Sequence, residues 1–157
     1  MSTTSTIPTR NVGAADSATG RFRLAARNGL TALTAGMVVI EIYRAIGRAA
    51  GIAMRAGAPG ANTAQHLTAA NFAFGICLGA VGGTLVAGLI ARYTQRPRRT
   101  FLIAAVTLTA VSLVFPLAAA HAAPSTKLFL AGGHVLAATI MIPIFSRRLG
   151  RPARFTP

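Results

Sequence analysis

The sequence predicts an all-α fold, an integral membrane four-helix bundle, and three observations support this class. Hydrophobic residues make up 53% of the 157 residues and charged residues 11%, whereas about a quarter of a soluble protein is charged. Four apolar runs approach the roughly 20 residues that a helix needs to cross a bilayer core. Basic residues cluster between these runs and at both chain ends. We expect one transmembrane domain, residues 25–148, and no separate soluble domain.

The formal net charge of +14 would suggest nucleic acid as a partner in a soluble protein. No basic face interleaved with aromatic residues accompanies this charge, so no nucleic acid is expected. The basic residues instead predict contact between the membrane-spanning domain and a lipid bilayer with anionic headgroups. Cys77 is the one cysteine of the chain, which excludes an intramolecular disulfide.

The N-terminal segment, residues 1–24, is rich in Ser, Thr, Ala and Gly and has no apolar periodicity. This composition predicts a disordered cytoplasmic tail. The alternative is a signal peptide, because arginines precede the first apolar run. Glu41 and Arg44 oppose that alternative, since they would lie between the apolar run and any cleavage site.

The first predicted span, about residues 27–49, carries charges. Its uncharged part runs only from Gly29 to Ile40, so the helix crosses the bilayer only if Glu41 and Arg44 enter it. Ionisable groups inside a membrane are costly and mark candidate functional sites. The alternative for Glu41 is a structural ion pair with Arg44 or Arg48, which lie near the same helix face.

The second predicted span, about residues 67–91, follows a Gly- and Pro-containing loop and is free of charge. Three glycines lie four residues apart and share one side of the helix with Asn71; they are Gly75, Gly79 and Gly83. Such a glycine zipper predicts close helix packing, because small residues let backbones approach in lipid. The partner is another helix of this chain or a second copy, and Ala80 would then face lipid.

The third and fourth spans are predicted at about residues 100–120 and 128–146. The third contains Pro116 and the fourth Pro143. Proline removes one backbone hydrogen bond and usually kinks a helix. We therefore predict helix kinks at both positions.

The distribution of Lys and Arg predicts orientation. Twelve lie in the N-terminal tail, the turn between the second and third spans and the C-terminal tail, against four on the other side. Excess basic residues mark the cytoplasmic side. We expect a multi-pass protein of the cell (plasma) membrane with both termini cytoplasmic, including a basic tail at residues 149–157.

Helix rise predicts a polar intramembrane layer. At 1.5 Å per residue, Glu41, Ser112 and His134 lie at similar depth, with Arg44 and Asn71 nearby. Glu41 and His134 are the candidate catalytic residues. The alternative for His134 is a core histidine that hydrogen-bonds between helices.

No cofactor and no metal are expected. The three histidines lack metal-ligand spacing, and no phosphate-binding loop, dinucleotide fingerprint or nucleophile elbow occurs.

Two segments carry a family resemblance: VSLVFPLAAA at Val111–Ala120 and GGHVLAATIMIPIFSRR at Gly132–Arg148. They resemble a family of small four-span membrane proteins of unknown function from actinobacteria, over roughly Gly29–Arg148. The matching positions are Ser112, Pro116, His134, Ile142 and Pro143. That family commonly has Met before the histidine, where Gly133 stands here. The resemblance implies a membrane fold and no established activity.

Three functional classes follow from these features. The favoured class is a non-catalytic membrane protein that packs through its glycine-rich face, as a homo-oligomer or with another membrane protein. The second is a small transporter or channel subunit built on a Glu and His layer. The third is a membrane-embedded enzyme, cyclase-like or isomerase-like, acting on a lipophilic substrate. The absence of a catalytic signature in the sequence favours the first class.

Overall fold

The computed structural model describes residues 12–149 and is an all-α bundle, as predicted. The elements are α1 (Val12–Ala49), β1 (Arg55–Ala56), β2 (Gln65–His66), α2 (Ala69–Tyr93), α3 (Pro97–Ser112), α4 (Val114–Leu117) and α5 (Pro124–Leu149). Within the described residues, four helical segments are long and apolar enough to cross a membrane: Gly29–Ala49, Ala69–Tyr93, Pro97–Leu117 and Pro124–Arg147. The predicted fold class is confirmed.

The first helix begins earlier than predicted. Helix α1 starts at Val12, so the helix begins inside the segment predicted as the N-terminal tail, residues 1–24. The segment before the span is rich in alanine and free of proline, and adding residues to an existing helix is far easier than starting one. Residues 1–11 and 150–157, including most of the predicted C-terminal tail, lie outside the described residues.

The third span differs from the prediction at both of its ends. Helix α3 begins at Pro97 because proline is favoured in the first turn of a helix, where its missing N–H costs nothing. The helix is interrupted at Leu113, one turn before Pro116, and resumes as the short α4. Pro116 has no N–H to donate to the carbonyl of Ser112, which accounts for the interruption there. Pro143 lies inside α5, which remains helical to Leu149.

Helix α5 is the centre of the bundle within residues 12–149, since it packs against α1, α2, α3 and α4. Helix α1 packs against α2 and α5, while α2 and α3 contact each other less closely. The buried apolar core consists of Ala32, Ile40, Ile76, Ala80, Phe101, Met141 and Phe145.

The buried face of α2 is rotated from the predicted one. Ile76 and Ala80 are buried at 3% and 4% exposure, whereas Gly79 is exposed. Gly36 of α1 receives the Ile76 side chain, and a Cβ at Gly36 would lie 2.9 Å from Ile76 Cγ2. The expectation that Ala80 faces lipid is therefore wrong. Gly36 leaves room on α1 for the face of α2 that carries Ile76 and Ala80, so this face is buried between the two helices.

The outward faces of the helices carry large apolar side chains that a soluble protein would bury. On α2 they recur along one side and are Phe74, Leu78, Val81, Leu85 and Leu89, all at least 58% exposed. A contiguous exposed apolar surface of this kind marks contact with lipid or protein. This exposed apolar surface fits a helix bundle that is surrounded by lipid.

A small ordered cap covers one end of the bundle, which we call the hairpin end; the opposite end, with the α2–α3 turn, is the turn end. Strands β1 and β2 pair antiparallel, and Gly57 exchanges backbone hydrogen bonds of 2.8 and 3.1 Å with Ala120. The Thr126 hydroxyl donates to the carbonyl of Ala53. The cap thus joins the α1–α2 connection to the start of α5.

Candidate functional site

A groove of about 590 Å³ lies between α2 and α3, with α5 behind it. Ile40 of α1 reaches its back wall. Leu78 of α2 and Leu108 of α3 line it while remaining 63% and 55% exposed, so they form its two rims. The groove therefore opens to the outside of the bundle, between α2 and α3.

Two aromatic rings close the groove near the turn end. Phe101 and Phe145 are 2% and 4% exposed, and their ring centroids lie 6.0 Å apart at 58°. This tilted geometry is the one that aromatic pairs favour. We call the pair the aromatic floor, and it places residue 101 of α3 and residue 145 of α5 at one level.

The predicted glycine face is divided between α5 and the groove. A Cβ at Gly83 would lie 2.8 Å from Phe145 Cε2, and one at Gly79 would lie 3.3 Å from Met141 Sδ. Both glycines therefore seat side chains of α5. A Cβ at Gly75 or Gly82 would meet nothing within 4 Å, so these two glycines border open groove.

Three residues of the predicted polar layer line the groove at the end away from the aromatic floor: Asn71, Ser112 and His134. Ser112 lies about 17 Å along α3 from Phe101, and His134 lies the same distance along α5 from Phe145. Asn71 lies about 18 Å along α2 from Gly83, which contacts Phe145. All three therefore lie at one level, and we call them with Thr109 the polar end.

Each polar side chain at this end already makes a hydrogen bond to its own helix. His134 Nδ1 lies 2.9 Å from the Leu130 carbonyl oxygen. The Ser112 hydroxyl donates to the Thr109 carbonyl at 2.7 Å, and the Thr109 hydroxyl donates to the Ala105 carbonyl at 2.8 Å.

Asn71 makes its hydrogen bonds in the cap of α2. Its Oδ1 accepts from the backbone N–H and the hydroxyl of Thr68, each at 2.8 Å. These bonds satisfy donors at the start of the helix, where no intrahelical partner exists.

Glu41 and Arg44 do not line the groove. Arg44 donates through Nε and through its terminal nitrogen to Glu41 Oε2, both at 2.8 Å. The side chains are 37% exposed for Glu41 and 18% for Arg44. The structure therefore brings Glu41 to Arg44 and not to His134.

Thr109 and Gly82 are among the groove residues that the sequence did not single out, and one interhelical contact was also missed. Thr109 lies one turn from Ser112, and Gly82 lies one turn from Gly79, so helical spacing alone would have identified both. Tyr43 stacks on Phe129 with centroids 4.2 Å apart and donates a 2.9 Å hydrogen bond to the Phe129 carbonyl. No sequence signal marked this contact between α1 and α5.

Among the described residues, no group of three or more His, Cys, Asp and Glu side chains is arranged to hold a metal. Of the side chains lining the groove, His134 is the one with an ionisable ring. The groove thus has an apolar body and one end lined by hydrogen-bonding side chains.

Comparison with known proteins identifies a family for this chain. No curated protein and no solved structure matches it. A family model described as a family of unknown function (DUF6069) matches residues 20–151, which include all four membrane-spanning segments. The chain therefore belongs to this family of unknown function, DUF6069.

Proposed function

We propose that the protein is a non-catalytic, multi-pass membrane protein that holds one slender lipid-like molecule in the groove between α2 and α3. The observation that carries this proposal is the shape of the groove. The groove has a volume of about 590 Å³ and runs about 17 Å along the helices between the polar end and the aromatic floor. Its volume lies within the approximately 300–1,000 Å³ of small-molecule sites.

Apolar side chains and glycines line most of the groove, which suits a hydrocarbon chain as the occupant. The glycine-rich face of α2 then has two roles. Gly79 and Gly83 pack against α5 in the same chain, and Gly75 and Gly82 keep the groove open.

A non-catalytic role follows from the chemistry of the lining. Acid–base catalysis needs a titratable group within reach of the reacting atom, usually with a partner that tunes it. His134 lines the groove without a carboxylate, since Glu41 is paired with Arg44 outside it. This geometry gives less support to a lipid enzyme or to a transport path through Glu41 and His134.

Charge distribution supports the proposed orientation in a bacterial cell membrane with anionic headgroups. Among described residues, the turn end has Arg27, Arg92, Arg96, Arg98, Arg99 and Arg147, and the hairpin end has Arg44, Arg48, Arg55 and Lys127. The turn end and both termini then face the cytoplasm. In a Cys77→Ser background, Ala61→Cys should be labelled from outside intact cells. Labelling of Ser5→Cys from outside would contradict this orientation.

The groove itself is tested with a pair of matched variants. Gly82→Leu places a side chain in the groove, whereas Gly88→Leu adds the same bulk on α2 at a position that does not line it. Native mass spectrometry of the full-length protein in mild detergent should show a bound lipid-like molecule in wild type and Gly88→Leu. Gly82→Leu should lose it. Equal occupancy in both variants would overturn the proposal.

A further inference from the structure

The hydrogen bonds at the polar end determine which chemical groups remain for an occupant. The Leu130 carbonyl oxygen is an acceptor, so His134 Nδ1, 2.9 Å away, must carry the hydrogen. In a neutral imidazole the other ring nitrogen then has a lone pair. In the neutral form of the ring, His134 Nε2 is therefore an acceptor.

The two hydroxyls at this end are acceptors for the same reason. A hydroxyl has one hydrogen and two lone pairs. Ser112 and Thr109 each donate that hydrogen to a carbonyl of α3. Their oxygens keep lone pairs for another donor.

Asn71 is the one lining side chain of the polar end that offers hydrogen to an occupant. Its Oδ1 accepts two hydrogen bonds from Thr68 in the cap of α2, which leaves the Nδ2 amide as a donor. The polar end therefore presents three acceptors, on His134, Ser112 and Thr109, and one donor.

We propose that the occupant is a long-chain lipid with a hydroxyl head, an alcohol or a phenol, whose hydroxyl donates at the polar end. This inference rests on the proposed function of the groove. The hydroxyl hydrogen points to His134 Nε2 or the neighbouring hydroxyl oxygens, and its own oxygen accepts from Asn71. The chain runs along Gly75 and Gly82 and ends at the aromatic floor.

Other heads fit this end less well. Among the described residues that line the groove there is no Lys or Arg, so a phosphate or carboxylate would lose its hydration without gaining a counter-charge. An ether, ketone or ester accepts hydrogen bonds and donates none. It could accept from Asn71, but it would leave the three acceptors at this end without a donor. A hydroxyl matches both kinds of group.

The test compares three probes of equal chain length: 1-hexadecanol, its methyl ether and palmitate. Each is added to the delipidated full-length protein in detergent, and binding is measured by native mass spectrometry and by the shift in Tm. The alcohol should bind about five-fold more tightly than the ether, which corresponds to one net hydrogen bond. Palmitate should bind more weakly than the alcohol.

Variants separate recognition of the head from a general effect on folding. His134→Phe removes the acceptor and keeps a ring. The ratio of the alcohol affinity to the ether affinity should therefore fall toward one, while the affinity for the ether is unchanged. Ser112→Ala should reduce the preference partially. His66→Phe, on the exposed β2 strand outside the groove, should leave it unchanged.

The outcomes distinguish the two proposals. If the alcohol and the ether bind equally to wild type, and both are lost in Gly82→Leu, the hydroxyl inference is overturned and the proposed function stands. Tighter binding of palmitate than of the alcohol also overturns the inference. If no probe binds and Gly82→Leu keeps the same native adducts as Gly88→Leu, the proposed function itself is overturned.

Discussion

Helix α1 meets α5 in a filled interface, whereas α2 and α3 leave a groove, although glycines line both. At the α1–α5 interface each glycine faces a large side chain. The Phe129 ring and the Met54 methyl group fill the space beside Gly47, and the Tyr43 hydroxyl fills the space beside Gly132. At the groove, Gly75 and Gly82 face nothing within 4 Å.

The difference shows that glycine alone does not specify close helix packing. A glycine removes bulk from one helix, and the opposite helix determines whether that space is filled. Helix α5 supplies Phe129, Met141 and Phe145 to its neighbours, while Leu108 of α3 remains at the rim of the groove. The same residue type thus supports packing in one region and a cavity in the other.

The largest effect should come from filling the tight interface. Gly47→Leu places a side chain where the Phe129 ring and the Met54 methyl already lie. Overpacking of this kind costs about 1–3 kcal/mol or more, and a rigid ring backed by Tyr43 places it at the upper end. We expect unfolding in detergent at a much lower Tm. Gly88→Leu is the matched control and should change Tm little; equal losses in both would mean that the two regions are packed alike.

The ion pair on α1 should have the next largest effect on stability and none on the groove. Glu41→Gln leaves the Arg44 charge unpaired in a partly buried position, and Arg44→Gln does the converse. Breaking a buried pair costs about 3–5 kcal/mol and an exposed one about 0–1, so about 2 kcal/mol is expected here.

Thermal unfolding of both single variants and the double variant measures this coupling. The double variant should regain most of the stability. Lipid occupancy should match wild type in all three, because neither side chain lines the groove. Loss of occupancy in Glu41→Gln at unchanged Tm would instead make Glu41 part of the site.

Two adjacent glycines give a finer comparison. Gly→Ala inside a helix stabilises by roughly 0.5–1 kcal/mol when the methyl group has space. Gly82→Ala has that space, whereas the methyl group of Gly83→Ala would lie 2.8 Å from Phe145 Cε2. We expect the Tm of Gly82→Ala to equal or exceed that of wild type, and the Tm of Gly83→Ala to fall. Equal Tm values for Gly82→Ala and Gly83→Ala would show that the Phe145 ring can move aside at little cost in stability.

The sequence was sufficient for the membrane spans because the bilayer imposes a length and an apolar composition that hydropathy reports directly. It was insufficient for the hairpin end. Strands β1 and β2 are two residues each, too short for the alternation that marks a strand. The partner of Gly57 is Ala120, a contact between distant segments that no local pattern encodes.

For the site, the sequence was sufficient for the level of each residue along its helix. It was not sufficient for the direction in which each side chain points. Counting residues along each helix predicted Glu41, Ser112 and His134 at one level with Asn71 nearby, and Ser112, His134 and Asn71 line the groove. Rotation around the helix depends on packing, and each residue turns the side chain by about 100°. Ile40 therefore lines the groove, while Glu41, the next residue, does not line it and pairs with Arg44.

The smallest expected effect on Tm comes from the hydrogen bond that joins α1 to α5 across the filled interface. Tyr43 donates to the Phe129 carbonyl at 2.9 Å and stacks on the Phe129 ring. Tyr43→Phe keeps the stacked ring and removes the donor. Hydrogen bonds between membrane helices average about 0.6 kcal/mol, so Tm should fall by a small, reproducible amount.

The control for this variant is Tyr93→Phe, since Tyr93 lies at the end of α2 with 75% of its surface exposed. Its Tm should not change. Because Tyr43 contacts Gly132 and Gly133 of α5, Tyr43→Phe should also leave lipid occupancy of the groove unchanged if the two regions are independent. Loss of bound lipid in Tyr43→Phe with little change in Tm would mean that the α1–α5 interface sets the position of α5 beside the groove. The filled interface and the open groove would then be coupled.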